Sequence, residues 1–315
     1  MRWSSTCRPD RPHPWGVFAR RLALVPIDVD EVLERYWEEA SPLRNPVLLI
    51  ALQGLFDIGG VATSALDWML KERDYTVVAD IDPDPFFDFT QARPEVYNDE
   101  DGDRQLRWPE NEFSVIRYPE GSRDLVVLNG IEPHLAWPTF VNCIIDVVHG
   151  LGIELVVSLG AAAEQVPHTR VPFVVGSTTN PDLAARLGLT MPRYQGPTGV
   201  AGVMLEAFDR ANIPNVSLRV GVPHYLMNAQ HPKSAASLLQ HLQHVLGVPT
   251  DHANLVDEIT RWQELHDSAV EDDAQLLGYI DMLERRHDQM TERMMPTGDD
   301  LAAELEAFLR DNDDK

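Results

Sequence analysis

The chain has 315 residues, of which 44% are hydrophobic and 24% are charged, and this composition excludes fibrous and wholly disordered classes. Asp and Glu number 50 against 26 Lys and Arg, which gives a formal net charge of -24. Such a charge repels phosphate backbones and anionic lipids, so the sequence predicts neither nucleic acid nor membrane as a partner.

We interpret residues 1–40 as an N-terminal leader, which we expect to be partly irregular. The leader lacks the apolar core of a signal peptide, and no later segment approaches the roughly 18 apolar residues of a membrane span. Cys7 and Cys143 are the only cysteines, so a disulfide framework is not indicated and Cys143 is expected to be a buried thiol. We predict a cytoplasmic protein.

Residues 41–249 form the predicted core domain, in which short apolar runs alternate with helical patterns as in an α/β layered fold. Residues 82–124 interrupt the alternation with five prolines and an Asp101-Gly102 turn, so we expect a β-rich excursion there. The predicted strands are 47–54, 75–81, 124–130, 153–160, 171–177 and 216–222. One predicted helix follows Phe56 and another follows Gly199. The other predicted helices cover 138–152, a stretch near 181–187, and 232–247.

Residues 250–315 form a predicted helical appendage, because the apolar period becomes purely helical after Pro249. Two amphipathic stripes predict a helical hairpin, and Leu301, Leu305 and Phe308 predict a short third helix.

Four glycines each close a predicted strand: Gly54, Gly130, Gly160 and Gly176. In open α/β sheets, ligands usually bind beyond the carboxyl ends of the strands, where glycine permits close approach of a backbone. The same glycines are equally consistent with tight turns, and both interpretations stay open at this point.

The sequence contains no phosphate-binding loop, no dinucleotide fingerprint, no nucleophile elbow and no His-Glu-x-x-His motif. Its histidine spacings have no matching acidic or cysteine set nearby, so we predict no metal site and no cofactor. We assign no catalytic residue.

Candidate ligand-binding residues nevertheless occur where strands end and helices begin. Glu132, His134 and Trp137 lie close together in one such connection. Glu132 and His134 could form a general acid and base pair. Alternatively, Glu132 caps the turn and Trp137 packs against the core. His168 and Arg170 follow another strand, where the arginine fork suits a ligand anion or a protein acid such as Glu132 or Glu164.

Two helix starts carry the remaining candidates. Asp57 precedes Gly59 and Gly60, and its carboxylate is expected to cap the next helix and thereby disfavour phosphate binding. Thr198 is a candidate N-cap beside Gly199, in the stretch "GPTGVAGVML". No Lys or Arg follows within ten residues, so we favour a small-residue packing face over an anion cradle there.

Several tracts, taken in order, resemble the proteasome assembly chaperone 2 family, in the form of its actinobacterial members. They span Pro46 to about Gly247, and their order rather than any single tract carries the resemblance. The tracts are "LQGLFDIGGVATSALDWML", "DFTQARPEV", "NGIEPHLAWPTFVNCI", "LGAAAEQVPHTRVP", "GPTGVAGVML" and "VPHYLMNAQHPKSAASLL".

The resemblance implies a three-layer αβα core of the phosphorylase/hydrolase-like kind and self-association, with a trimer favoured. It also implies a chaperone-like role and a proteasome-related protein as partner. Relatives that dock on the proteasome can end in a hydrophobic-Tyr-X tail, whereas this chain ends "LRDNDDK". Docking by tail insertion is therefore not expected, and the helical appendage is an alternative contact surface.

Two functions follow as expectations. The first is a non-enzymatic chaperone-like or scaffold protein that acts through oligomerisation and protein contacts. The second is a small-molecule-binding protein or enzyme of nucleoside phosphorylase-like ancestry, which would use Glu132, His134, His168 and Arg170 in the crevice at the strand ends; fold analogy is its warrant.

Overall fold

The computed structural model describes residues 27–294, except residues 41, 100, 120 and 122. The first 26 residues, with Cys7, and the predicted third appendage helix lie outside the described residues. The predicted division into leader, core and appendage stays a prediction.

An eight-stranded sheet forms the centre of the described chain. Apolar β-branched runs form its strands, as the alternation of the sequence predicts. Its strands are β1 (Leu33–Arg35), β2 (Val47–Gln53), β3 (Tyr75–Ile81), β6 (Asn111–Ile116), β7 (Leu125–Ile131), β8 (Leu155–Glu164), β9 (Val174–Ser177) and β10 (Asn215–Pro223). Their spatial order is β1-β3-β6-β7-β2-β8-β10-β9.

Four neighbouring strands of this sheet, β7, β2, β8 and β10, are parallel to one another. The pairs β1–β3, β3–β6, β6–β7 and β10–β9 are antiparallel. The carboxyl ends of the four parallel strands therefore meet at one edge of the sheet, which we call the carboxyl edge.

Helices cover both faces of the sheet. The α-helices of the described residues are α1 (Val29–Val32), α2 (Val61–Lys71), α3 (Trp137–Gly150), α4 (Pro181–Leu187), α5 (Val200–Arg210), α6 (Pro232–Leu246), α7 (Val256–Val270) and α8 (Ala274–Met294). Since successive strand residues point to opposite faces, Leu48 and Ile50 join α3 and α5 in one core cluster, whereas Val47 and Leu49 join α2 and α6 in another. The predicted three-layer αβα core is confirmed.

The predicted excursion contains a separate hairpin, β4 (Glu95–Asn98) and β5 (Arg104–Arg107), with the predicted glycine Gly102 at φ 85° in its turn. Strand β6 is the last strand of the excursion. It is not part of this hairpin and lies in the main sheet between β3 and β7. Cys143 is buried on α3 and is a free thiol, and burial raises its pKa to about 12.

The interpretation of the four glycines as strand ends was wrong for three of them. Only Gly54 directly follows its strand, whereas Gly130, Gly160 and Gly176 lie inside β7, β8 and β9. Strand β9 is also antiparallel to β10, so its carboxyl end, where Gly176 lies, is not at the carboxyl edge. The strands continue because their backbone still finds partners, as where Ala161 N donates to Phe56 O at 2.7 Å.

Within the described residues, none of the helices combines the length and the apolar character that crossing a bilayer requires.

Candidate functional site

Asp57 places a carboxylate at the start of α2. Its carboxylate accepts hydrogen bonds from Ala62 N at 2.6 Å and from Thr63 N at 3.2 Å, and it is only 4% exposed. Gly59 and Gly60 adopt left-handed φ values of 68° and 62°, which bring the carboxylate back onto the helix. The sequence-based interpretation of the Asp57 carboxylate as a helix cap is confirmed, although Gly60 is the N-cap residue, and the carboxylate takes two of the N–H groups that a phosphate would use.

Glu132 joins two loops at the carboxyl edge. Its Oε2 accepts a hydrogen bond from Leu55 N at 2.8 Å, and its Oε1 accepts one from Val200 N at 2.9 Å. A Cβ atom at Gly54 would lie 2.3 Å from Oε2, and one at Gly199 would lie 2.8 Å from Oε1. Both glycines are therefore required to leave room for the Glu132 carboxylate.

The N-terminus of α5 differs from the prediction in one respect. Gly199, and not Thr198, is its N-cap residue, and no side chain at the cap position makes a capping bond. The Thr198 side chain lies against Gly202, where an added Cβ would be 2.1 Å from Thr198 Oγ1. Thr198 does not need to cap because Glu132 already accepts from the first N–H of the helix.

The two interpretations of "GPTGVAGVML" therefore each hold in part. An anion does lie at the start of α5, but the chain's own Glu132 supplies it. The small residues Ala201 and Ala207 pack against the core, and the helix contacts α3.

His134 and Trp137 hold the excursion and the start of α3 in place. His134 Nδ1 accepts a hydrogen bond from Asp88 N at 3.0 Å, and the ring meets Phe87 edge-on at 5.7 Å between centroids. Trp137 Nε1 donates to Pro133 O at 2.6 Å. Glu132 and His134 thus bond to different partners, so the predicted acid and base pair is not formed here.

His168 is buried where the β8–β9 loop meets α7. Its Nδ1 lies 2.8 Å from the hydroxyl of Tyr225, its Nε2 lies 3.1 Å from Asp267 Oδ1, and Lys233 Nζ donates to its carbonyl at 2.7 Å. Burial lowers the pKa of the imidazole, and Asp267 partly opposes that change. This histidine joins the sheet to the appendage.

Arg170 binds protein acids through its fork, which was one of its two predicted roles. Its Nε and Nη2 donate to the two carboxylate oxygens of Asp288 at 2.9 and 3.0 Å, and its Nη1 donates to Glu284 at 3.2 Å. Both acids lie on α8, and neither Glu132 nor Glu164 is the partner that the sequence suggested.

The structure thus divides the predicted site residues between two places. Glu132, Thr198 and Gly199 lie together at the carboxyl edge, whereas His168 and Arg170 contact the appendage. Ligand binding by these residues stays a prediction. The described residues hold no group of three or more His, Cys, Asp or Glu side chains arranged for a metal ion.

A cavity of about 560 Å³ opens between the sheet and α5; of the four residues that the sequence assigned to a crevice at the strand ends, only Glu132 lines it. Its lining includes Phe56, Glu132 and most of residues 190–198, among them Thr198. Its sequence signal was faint: serines within the otherwise apolar strands β8, β9 and β10.

Large apolar side chains are exposed at the carboxyl edge, and we call four of them the apolar rim. Their exposed fractions are 67% for Leu55, 40% for Phe56, 54% for Leu135 and 74% for Tyr194. Phe56 and Tyr194 line the same cavity, and Leu55 and Phe56 would both contact a Cβ at Gly199, at 3.5 and 3.7 Å. Sequence reasoning missed the rim because exposure depends on tertiary packing.

Known proteins resemble this chain in both sequence and fold. The model of the PAC2 family matches residues 51–270. A PAC2 family protein from Streptomyces avermitilis is 37% identical and covers 74% of this chain and 99% of its own, with a TM-score of 0.70. A proteasome-assembly chaperone homologue from Mycobacterium tuberculosis is 32% identical, with coverages of 74% and 99% and a TM-score of 0.67.

A protein of unknown function from Corynebacterium glutamicum shares the fold, with a TM-score of 0.74 at 22% identity; the match covers 84% of this chain and 100% of that one. No curated protein matches the sequence.

Proposed function

This chain belongs to the PAC2 family, and we propose that it is a chaperone-like protein that binds other proteins through the carboxyl edge of its sheet. The observation that carries the proposal is the apolar rim, whose four side chains are 40% to 74% exposed at that edge. Clustered exposed apolar side chains commonly mark protein interaction sites.

Binding is favoured over catalysis by the partners of the polar groups at the same edge. The carboxylates of Asp57 and Glu132 both accept hydrogen bonds from backbone N–H groups, and His134 accepts one from Asp88 N. Groups that are fixed in this way contribute to the shape of a binding surface. We therefore propose a non-enzymatic role.

A proteasome subunit is the partner that we propose. The support is the 32% identical relative from Mycobacterium tuberculosis, which is named a proteasome-assembly chaperone homologue. The net charge of -24 favours a partner surface with basic groups around an apolar centre. A proteasomal partner also requires the cytoplasmic location that the sequence predicts. We further propose that the chain self-associates, with a trimer favoured.

Binding to recombinant proteasome α-subunits from an actinobacterium tests this function. Native mass spectrometry and fluorescence anisotropy should detect a complex with the full chain. Leu55→Asp places a charge in the apolar rim and should weaken the complex by about tenfold or more, as expected for a central apolar contact.

Leu265→Asp is the matched control, because Leu265 on α7 is 66% exposed, against 67% for Leu55. It should leave the affinity unchanged. Absence of a complex with the parent chain, or equal losses in the two variants, would contradict the proposal.

A further inference from the structure

The cavity beside α5 has an apolar wall on the helix side and a floor in which polar and apolar side chains of the sheet are mixed. Met204 and Phe208 of α5 are buried on the wall side. The floor is formed by β8, β10 and β9, in which Ser158 pairs with Ser217 and Ser217 pairs with Ser177. Directly paired residues share one face of a sheet, so the three serines form a row across the floor, and all three line the cavity.

The hydroxyl groups of this row make no side-chain hydrogen bond with another described residue. The three serines are half-buried, so their hydroxyls are reached by water in the cavity, which a ligand hydroxyl can replace. A row of three hydroxyls that face one cavity is therefore suited to hydrogen bonding with a ligand.

Asn215 is a further polar residue at the buried end of the floor. It lies two residues before Ser217 on β10, lines the cavity and is 4% exposed. Its Nδ2 donates to Ile213 O at 3.1 Å, whereas its Oδ1 accepts no hydrogen bond from the described residues. This oxygen has almost no accessible surface, so Asn215 adds a polar group to the floor without being a ligand contact itself.

Two arginines line the more exposed end of the cavity. Arg219 pairs with Glu164 at 3.2 Å, whereas Arg193 makes no ion pair with another described residue. Glu132 also lines the cavity, but its two oxygens are bonded to backbone N–H groups. Arg193 is thus the charge that is available to an anion.

We propose that this cavity binds a largely apolar carboxylate that carries a hydroxyl group. The apolar body packs against Met204 and Phe208, the hydroxyl bonds to the serine row, and the carboxylate pairs with Arg193. A monoanion suits the site better than a phosphate dianion because the whole chain carries a net charge of -24. None of these contacts depends on protein docking at the apolar rim.

Isothermal titration calorimetry with ω-hydroxydodecanoate as the probe, below its micelle concentration, tests the proposal. We expect one molecule per chain, and weaker binding of dodecanoate, which lacks the hydroxyl, and of dodecyl alcohol, which lacks the carboxylate. Arg193→Gln should weaken binding of the hydroxy acid by about tenfold, as for loss of a charge-assisted hydrogen bond. It should not change binding of the alcohol.

Two variants test whether the probe binds in the cavity or elsewhere on the protein. Ser217→Leu places an apolar side chain in the cavity and should abolish binding while the melting temperature is kept or raised. Arg186→Gln alters an exposed arginine on α4 that does not line the cavity, and it should bind like the parent chain.

Leu55→Asp should also retain binding of the hydroxy acid, so failure of the docking proposal and failure of this one are distinguishable. Equal affinities for the three probes, or no effect of Arg193→Gln and Ser217→Leu, would overturn the proposal.

Discussion

Glu132 shows how one side chain can take the position that sequence patterns assign to a ligand. It lies at a strand end beside a glycine-rich helix start, where an external anion is often found. Its two oxygens instead bind the backbone N–H groups of Leu55 and Val200. The sequence selected Glu132 as unusual but favoured a packing face over an anion site at the start of α5, so it did not predict that Glu132 binds there.

Removal of this carboxylate should destabilise the fold. Glu132→Ala leaves the N–H groups of Leu55 and Val200 without their acceptor and removes a negative charge from the start of α5. We expect a loss of about 1 to 2 kcal/mol in the free energy of unfolding, measured by urea denaturation.

Two controls make the result specific. Glu132→Gln retains an acceptor oxygen and should lose less than the alanine variant, and Glu154→Ala at an exposed acid should change little. Equal losses in Glu132→Ala and Glu154→Ala would contradict the role of Glu132 as a link between loops.

At the scale of elements, the β8–β9 loop connects the sheet to the two appendage helices. His168 bonds to Asp267 on α7, and Arg170 bonds to Glu284 and Asp288 on α8. The sequence predicted these helices from their apolar period and selected His168 and Arg170 as unusual. It could not pair them, because the partner acids follow about 100 or more residues later in the chain.

The Arg170 contacts should control local opening of α8. Arg170→Gln should raise the rate of amide hydrogen exchange in that helix by about two- to fivefold. This factor corresponds to the free energy that a partly exposed ion pair contributes. Hydrogen exchange followed by mass spectrometry measures this change.

Arg285→Gln is the comparison on the same helix, since Arg285 pairs only with Asp281 one turn away among the described residues. It should leave the contact between α8 and the β8–β9 loop unchanged. Faster exchange in both variants to the same extent would show that Arg170 does not fix the helix.

At the scale of the whole molecule, charge and apolar surface have opposite effects on association. Each copy carries a net charge of -24, so two copies repel at long range. In the self-association that we propose, burial of the apolar rim is the favourable contribution once copies are close. The balance should therefore depend on salt.

Self-association should increase with ionic strength. Raising NaCl from about 0.05 to about 0.5 M shortens the range of the repulsion between copies and should increase the fraction of trimer. Size-exclusion chromatography with light scattering measures that fraction, and Leu55→Asp should lower it where Leu265→Asp does not. A mass of one chain at both salt concentrations would contradict the proposed self-association.

The sequence by itself determined the layered α/β class, the two helices α7 and α8 and the capping carboxylate of Asp57, because apolar periodicity and capping act over a few neighbouring residues. The tracts from Pro46 to about Gly247 also identified the family that the comparisons then established.

Only the tertiary structure decided which groups meet. It brought Glu132 to α5, Arg170 to α8, and serines from three strands into one row that faces a cavity. The physical reason is that strand order and register are set by packing of the whole sheet, which places residues far apart in the chain in direct contact.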